Sequence, residues 1–169
     1  CGVSYENVAT KTQTVTGIPS FMYGRVVSIL GDGAVYPDTV VPTNGSITIT
    51  KSCNTIHVGY SYDSEIKTMR LEAGSVAATT QGMVKRIYKI IVRLWRSLGC
   101  TVGDGTTQDI VYFRDSSMAM DAAPTLFTGD KEKAFPVGWN KNAQVVIKQS
   151  QPLPLNCLAI ISKVEISTE

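Results

Sequence analysis

The spacing of apolar and polar positions predicts strands along most of the chain. Residues 24–30, GRVVSIL, are a short β-branched run, followed by Gly31-Asp32-Gly33 and then Ala34-Val35-Tyr36. Asp-Gly between two apolar runs predicts a tight hairpin, because both central positions of such a turn take φ > 0. Asn44-Gly45 is a second turn dipeptide. It opens residues 46–51, where Ile47 and Ile49 alternate with Ser and Thr in the period-2 pattern of a half-buried strand. Residues 56–60, IHVGY, add a fourth. Four short strands within about 40 residues, joined by tight turns, predict a small barrel or a compact meander.

The second half continues in the same idiom. Residues 100–102 lead into a Gly/Thr turn at 103–107, and 109–114, DIVYFR, form a strand-like run. Residues 115–134 are expected to be a loop, with Pro124 and Gly129 as breakers. Beyond them lie the β-branched runs 144–148 and 155–166. Pro152 and Pro154 exclude a helix between these runs and confine 151–154 to an edge or a connection.

One segment is ambiguous: residues 85–99, KRIYKIIVRLWRSLG. As an α-helix it gathers Ile87, Ile90, Ile91, Leu94 and Leu98 on one face and all five cations on the other, with Gly99 as its C-terminal cap. That helix would suit a membrane surface or a nucleic acid. As a strand it puts Tyr88, Ile90, Val92 and Leu94 on a buried face. Lys85, Lys89 and Arg93 then share one side, and Arg86 and Arg96 the other. The consecutive β-branched Ile90, Ile91 and Val92 crowd a helix and suit a strand, as does the all-β setting.

Composition narrows the function classes. The 169 residues are 43% hydrophobic and 18% charged, a globular balance, and the net charge of +2 gives no bulk attraction to nucleic acid. No apolar run approaches the roughly 18–20 residues of a membrane-spanning helix. The chain opens on polar residues without an initiator Met, as expected of a piece of a longer protein. Cys1, Cys53, Cys100 and Cys157 are far apart, form no CxxC pair, and are expected to be free thiols; with a single histidine there is no zinc constellation.

Candidate chemistry is thin. His57 has no sequence-local nucleophile or orienting carboxylate and is expected to be an ordinary strand residue. Asp32, Asp38, Asp63, Glu65 and Asp130 could supply a carboxylate pair or calcium ligands. Yet the Gly-Asp-Gly stretches at 31–33 and 103–105 offer one carboxylate each and are explained by turn preference. They also lack the form of a phosphate loop. Trp95, Trp139, Tyr60 and Tyr62 are candidate interface or core aromatics, with a sugar-stacking platform as the sharper alternative. Lys85, Lys89 and Arg93 are candidate subunit-facing or DNA-facing cations. No catalytic residue, metal ligand or cofactor is expected.

Three motifs stand together in order: VSILGDGAVYPD at 27–38, FTGD at 127–130, and FPVGWN at 135–140 leading to QPLPL at 151–155. With them, the chain resembles the C-terminal region of a family of tailed-bacteriophage virion proteins over about residues 2–166. These are tail tubular or nozzle-like structural proteins, also described by similarity to the first catalytic-cysteine half-domain of ubiquitin-activating enzymes. Cys1, Cys100 and the bulky FMYG at 21–24 depart from that pattern.

The resemblance implies an all-β fold: a small barrel-like, half-domain-like module at 22–65, then a larger antiparallel β-sandwich at 66–169 completed by strands from 1–20. It also implies that 85–98 is a strand. The expected function is non-enzymatic: a structural domain in the virion tail, made in the bacterial host cytoplasm. Its expected partners are other copies of the parent protein, adjacent tail proteins and, transiently, phage DNA on its exit path. The alternative is an accessory or receptor-contacting domain that binds a host-surface glycan.

Overall fold

The computed structural model describes residues 2–6, 11–72, 80–119 and 122–167; Cys1 lies outside them. Among the described residues there is no α-helix, and the strands pair antiparallel in four sheets. The chain divides into two compact units, one of 1–63, 114–125 and 150–153, the other of 64–113, 126–149 and 154–169.

The first unit carries β1 (Gly2–Glu6), β2 (Thr12–Val15), β3 (Val26–Gly31), β4 (Ala34–Val40), β5 (Ile47–Cys53) and β6 (Thr55–Gly59). One sheet has the order β1-β6-β3-β4, and β2 pairs with β5 in a second. The β3–β4 hairpin turns at Asp32 and Gly33, both at positive φ (47° and 81°), as the Asp-Gly signal predicts. Asp32 also locks the sheet, since its carboxylate accepts the backbone N–H groups of Asn54 (3.0 Å) and Thr55 (2.8 Å). In β5, Ile47 and Ile49 are buried and Thr48 and Thr50 exposed, so the alternation seen in sequence is the true one. Val27, Ile29, Val41, Ile56 and Val58 fill the core beside them.

The expected barrel does not close. Pairing ends at β4, where Pro37 has no N–H to give, and β5 pairs with β2 in a separate sheet. The strands from 1–20 also take partners other than those expected. β1 lies along β6 and β2 along β5, both in the first unit.

The second unit carries β7 (Ser64–Lys67), β8 (Lys85–Ser97), β9 (Cys100–Gly103), β10 (Gln108–Val111), β11 (Phe127–Ala134), β12 (Val146–Gln149) and β13 (Cys157–Ile166). They form the sheets β10-β9-β12-β7 and β11-β8-β13, an arrangement that fits an all-β sandwich. Buried Gln149 donates from Nε2 to the carbonyls of Leu98 (2.8 Å) and Gly99, tying β12 to the β8–β9 turn.

Residues 127–134 are a strand where the sequence predicts loop. Thr128, Asp130 and Glu132 point outward, while Lys131 and Lys133 turn to the other side. There Lys131 Nζ lies over the Phe113 and Phe127 rings, and Lys133 Nζ meets Asp109 at 2.9 Å. Charges on both faces hide the period-2 pattern, and Gly129 marks an irregularity inside the strand rather than its end.

Candidate functional site

The ambiguous segment is a strand. β8 is the central strand of its sheet, with β11 on one side and β13 on the other. A β-branched run held between two neighbours gains packing on both faces, which a helix would forgo.

Two irregularities in β8 decide where its charges go. Against β13, Val164 pairs with Ile87 and Lys163 with Lys89, so Tyr88 is an extra residue. A bulge of this kind changes which side chains face in. Lys85 and Ile87 are buried before it, and Ile90, Val92 and Leu94 after it. Tyr88, expected inside, is therefore exposed. Near the far end Arg96 takes φ 46°, so Trp95 and Arg96 are both exposed and Ser97 is buried.

The cations are thus divided differently from the simple alternation. Lys85 is 1% exposed and presents no charge to solvent, while Arg86, Arg93 and Arg96 are exposed and Lys89 half-buried. The outward charges are largely answered from β11. Arg93 binds both oxygens of Asp130, Nε to Oδ1 at 2.8 Å and Nη2 to Oδ2 at 2.9 Å. Lys89 Nζ lies 2.9 Å from Glu132 Oε1. The Arg93 hydrogen bonds hold the Asp130 carboxyl below its ordinary range, and Lys89 does the same for Glu132. Arg86 stands opposite Glu165 in register, and the Arg96 guanidinium lies 5.7 Å from the Trp95 ring centroid. This face is an ion-pair ladder, with few bare cations.

A comparison with protein-family models and with curated proteins gives no match.

Within the second unit, the candidate aromatics Trp95 and Trp139 do not converge. Tyr60 and Tyr62 belong to the first unit, Trp95 and Trp139 to the second. Trp139 adjoins Asn140, which bridges to Lys85 at the start of β8; Trp95 is ten residues along the same strand. At the usual rise that separation is roughly 33 Å, too far for one sugar-stacking platform. Tyr60 donates its hydroxyl hydrogen to the Phe21 carbonyl (3.1 Å), and Tyr62 is 78% exposed. His57 lies exposed in the middle of β6.

Among the candidate carboxylates, Asp38 accepts a hydrogen bond from Ser28 (2.7 Å), Asp32 serves the hairpin, Glu65 pairs with Lys148 (3.1 Å) and Asp130 with Arg93. Each of these four has a structural partner; the fifth candidate, Asp63, is exposed. Cys53, Cys100 and Cys157 are free thiols. The Tyr36 hydroxyl sits 3.2 Å from Cys53 Sγ, and burial pushes the Cys100 thiol up to about 11.

Sequence reasoning missed Glu132 and Lys133, because the strand that carries them was expected to be a loop. The signal was present as charge: D-K-E-K alternates acid and base with period 2, so one face is acidic and the other basic.

Proposed function

We propose that the chain is a non-enzymatic structural domain of a tailed-bacteriophage tail protein. It docks with further copies of its parent protein and with adjacent tail proteins around the path by which DNA leaves the virion. The motif order at 27–38, 127–130 and 135–155 carries the likeness to such proteins, and the all-β architecture accords with it.

The observation that favours this reading is the ladder on β8 and β11. A wall that DNA must slide past cannot grip it, and each lysine or arginine facing phosphate adds to the hold by releasing counterions. Arg93 and Lys89 are instead occupied by Asp130 and Glu132. Exposed apolar residues such as Phe21, Tyr62, Tyr112 and Leu158 are then contacts for neighbouring subunits. In a ring of identical subunits such contacts are heterologous and close by rotation.

Density for the complete parent protein in an assembled virion tests the reading. The expected result is a ring with this domain beside the central axis. Placement at a fibre tip, away from the axis, would overturn it. So would tight, selective sugar binding on a glycan array, which would favour the receptor-contacting alternative.

A further inference from the structure

Lys85 is among the largest fully buried side chains, and its ammonium has no hydrogen-bond partner. The nearest carboxylate oxygen, Glu72 Oε1, is 3.8 Å away, beyond hydrogen-bonding distance. A buried ammonium in this state is costly, because its charge is met only by Glu72 at 3.8 Å and its donors make no hydrogen bond. Lysines are almost never so fully buried without a partner.

The residue facing Lys85 offers a way out. Lys85 and Asn140 exchange both backbone hydrogen bonds, each 2.8 Å, as a directly opposed antiparallel pair. Such residues send their side chains to the same face, with Cβ atoms about 5 Å apart, well within the reach of a lysine stem. The Asn140 amide is held in place, since Oδ1 accepts the Ala143 N–H at 2.5 Å. That donor draws electron density from the amide carbon and would steady negative charge growing on the oxygen. A buried amine with a carboxylate 3.8 Å away thus shares the start of β8 with a polarised amide on the residue directly opposite.

We propose that Lys85 and Asn140 join through an intramolecular isopeptide bond, with Glu72 as the proton carrier. Glu72 accepts a proton from the Lys85 ammonium, and the freed amine attacks Cγ of Asn140, forming the Nζ–Cγ bond. Negative charge gathers on Oδ1 beside the Ala143 N–H. The Cγ–Nδ2 bond then breaks, and the departing nitrogen takes the proton from Glu72 and leaves as ammonia. The second proton lost by Nζ passes to solvent. Nothing is oxidised or reduced, no co-reactant is consumed, and a neutral amide replaces a stranded cation.

Intact-mass and peptide-level mass spectrometry of the full, folded chain tests this, with folding checked by cooperative unfolding. The expected mass is about 17 Da below that of the sequence, the loss of one ammonia. Proteolysis should release one branched peptide containing both Lys85 and Asn140. Asn140→Ala and Glu72→Gln should restore the full mass; Glu72→Gln keeps both bonded residues and so separates proton transfer from packing. A folded chain at full mass with linear peptides would overturn the proposal. A succinimide at Asn140 would also overturn it, because it gives the same mass loss but leaves Lys85 in a linear peptide. Cross-linking that persists undiminished in Glu72→Gln would remove Glu72 from the step.

Discussion

Arg93 on β8 and Asp130 on β11 stand directly opposite each other, and the guanidinium engages both carboxylate oxygens at 2.8 and 2.9 Å. The fork geometry of arginine matches a carboxylate in this way, whereas a lysine makes a point contact, as Lys89 does with Glu132. The relationship joins residues far apart in sequence, and it turns the most basic stretch of the chain into a largely neutralised sheet surface.

Because the pair is exposed, its energetic weight is small and depends on salt. Arg93→Ala and Asp130→Ala are each expected to lower the unfolding midpoint slightly, with the double variant no worse than either alone. At about 1 M salt, where screening acts over roughly 3 Å, the differences should shrink toward nothing. Urea melts of the four proteins at low and high salt check this. A loss unchanged by salt would mean that the arginine stem, and not its charge, matters.

Acid should destabilise the fold through the same groups. Hydrogen bonds from Arg93, Lys89 and Lys133 lower the pKa of Asp130, Glu132 and Asp109, and the Thr55 N–H lowers that of Asp32. A depressed folded-state pKa gives stability that is complete above the ordinary values, 3.8 for Asp and 4.5 for Glu, and is lost as pH falls through the folded values. The thermal midpoint should therefore stay level down to about pH 5 and fall below it. Arg93→Ala should flatten part of that fall. A midpoint that declines well above this range would point to other groups.

Much of this architecture was legible in the chain, and the failures have physical causes. Asp32-Gly33 gave the hairpin because its positive φ values are a local demand, and Ile47 and Ile49 gave the buried face of β5. The β-branched run at 90–92 distinguished strand from helix correctly. The bulge at Tyr88 was invisible, because it depends on register against β13, and register is a relation between distant segments. Without the bulge Lys85 shares a face with Lys89 and Arg93; with it, Lys85 is buried. The strand 127–134 was missed because both its faces carry charge, each answered by residues far away in sequence.

The two faces of β8 should respond very differently to truncation. Ile90 is fully buried, and Ile90→Ala removes packed methylene groups and leaves a cavity, a loss of about 2–5 kcal/mol. Trp95→Ala removes a half-exposed ring and should cost about 1 kcal/mol or less, despite the larger deletion. Guanidinium-induced unfolding of both variants measures the contrast. Equal losses would mean that Trp95 is packed in a way its exposure does not reveal.

The thiols should be silent in the native state. Cys100 is buried and its pKa is raised to about 11 by burial first and by Cys157 second; burial likewise raises that of Cys157. The thiolate is the reactive form, so at neutral pH both should label slowly with iodoacetamide in the folded protein. Unfolding in denaturant should make them label at the rate of free cysteine. Fast native labelling at Cys100 would show that β9 opens readily.

The tight β9–β10 hairpin provides the sharpest substitution test. Gly103 pairs with Gln108, and a Cβ at Gly103 would lie 1.7 Å from the Thr107 carbonyl oxygen and 2.9 Å from the Gln108 Cα. Both obstacles are backbone, and the loop between them is pinned by Asp104, whose Oδ1 accepts the N–H groups of Thr106 (2.9 Å) and Thr107 (2.7 Å). Neither side can yield without breaking the hairpin, so Gly103→Ala should cost on the order of 4 kcal/mol. Gly82→Ala is the control. Its φ is +78°, but a Cβ there meets nothing within 4 Å, so only the backbone strain of about 1–2 kcal/mol applies. Chemical denaturation of both variants should rank Gly103→Ala well below Gly82→Ala. Similar losses would show that the hairpin rearranges to admit the methyl group, and that the close approach at Thr107 does not select glycine here.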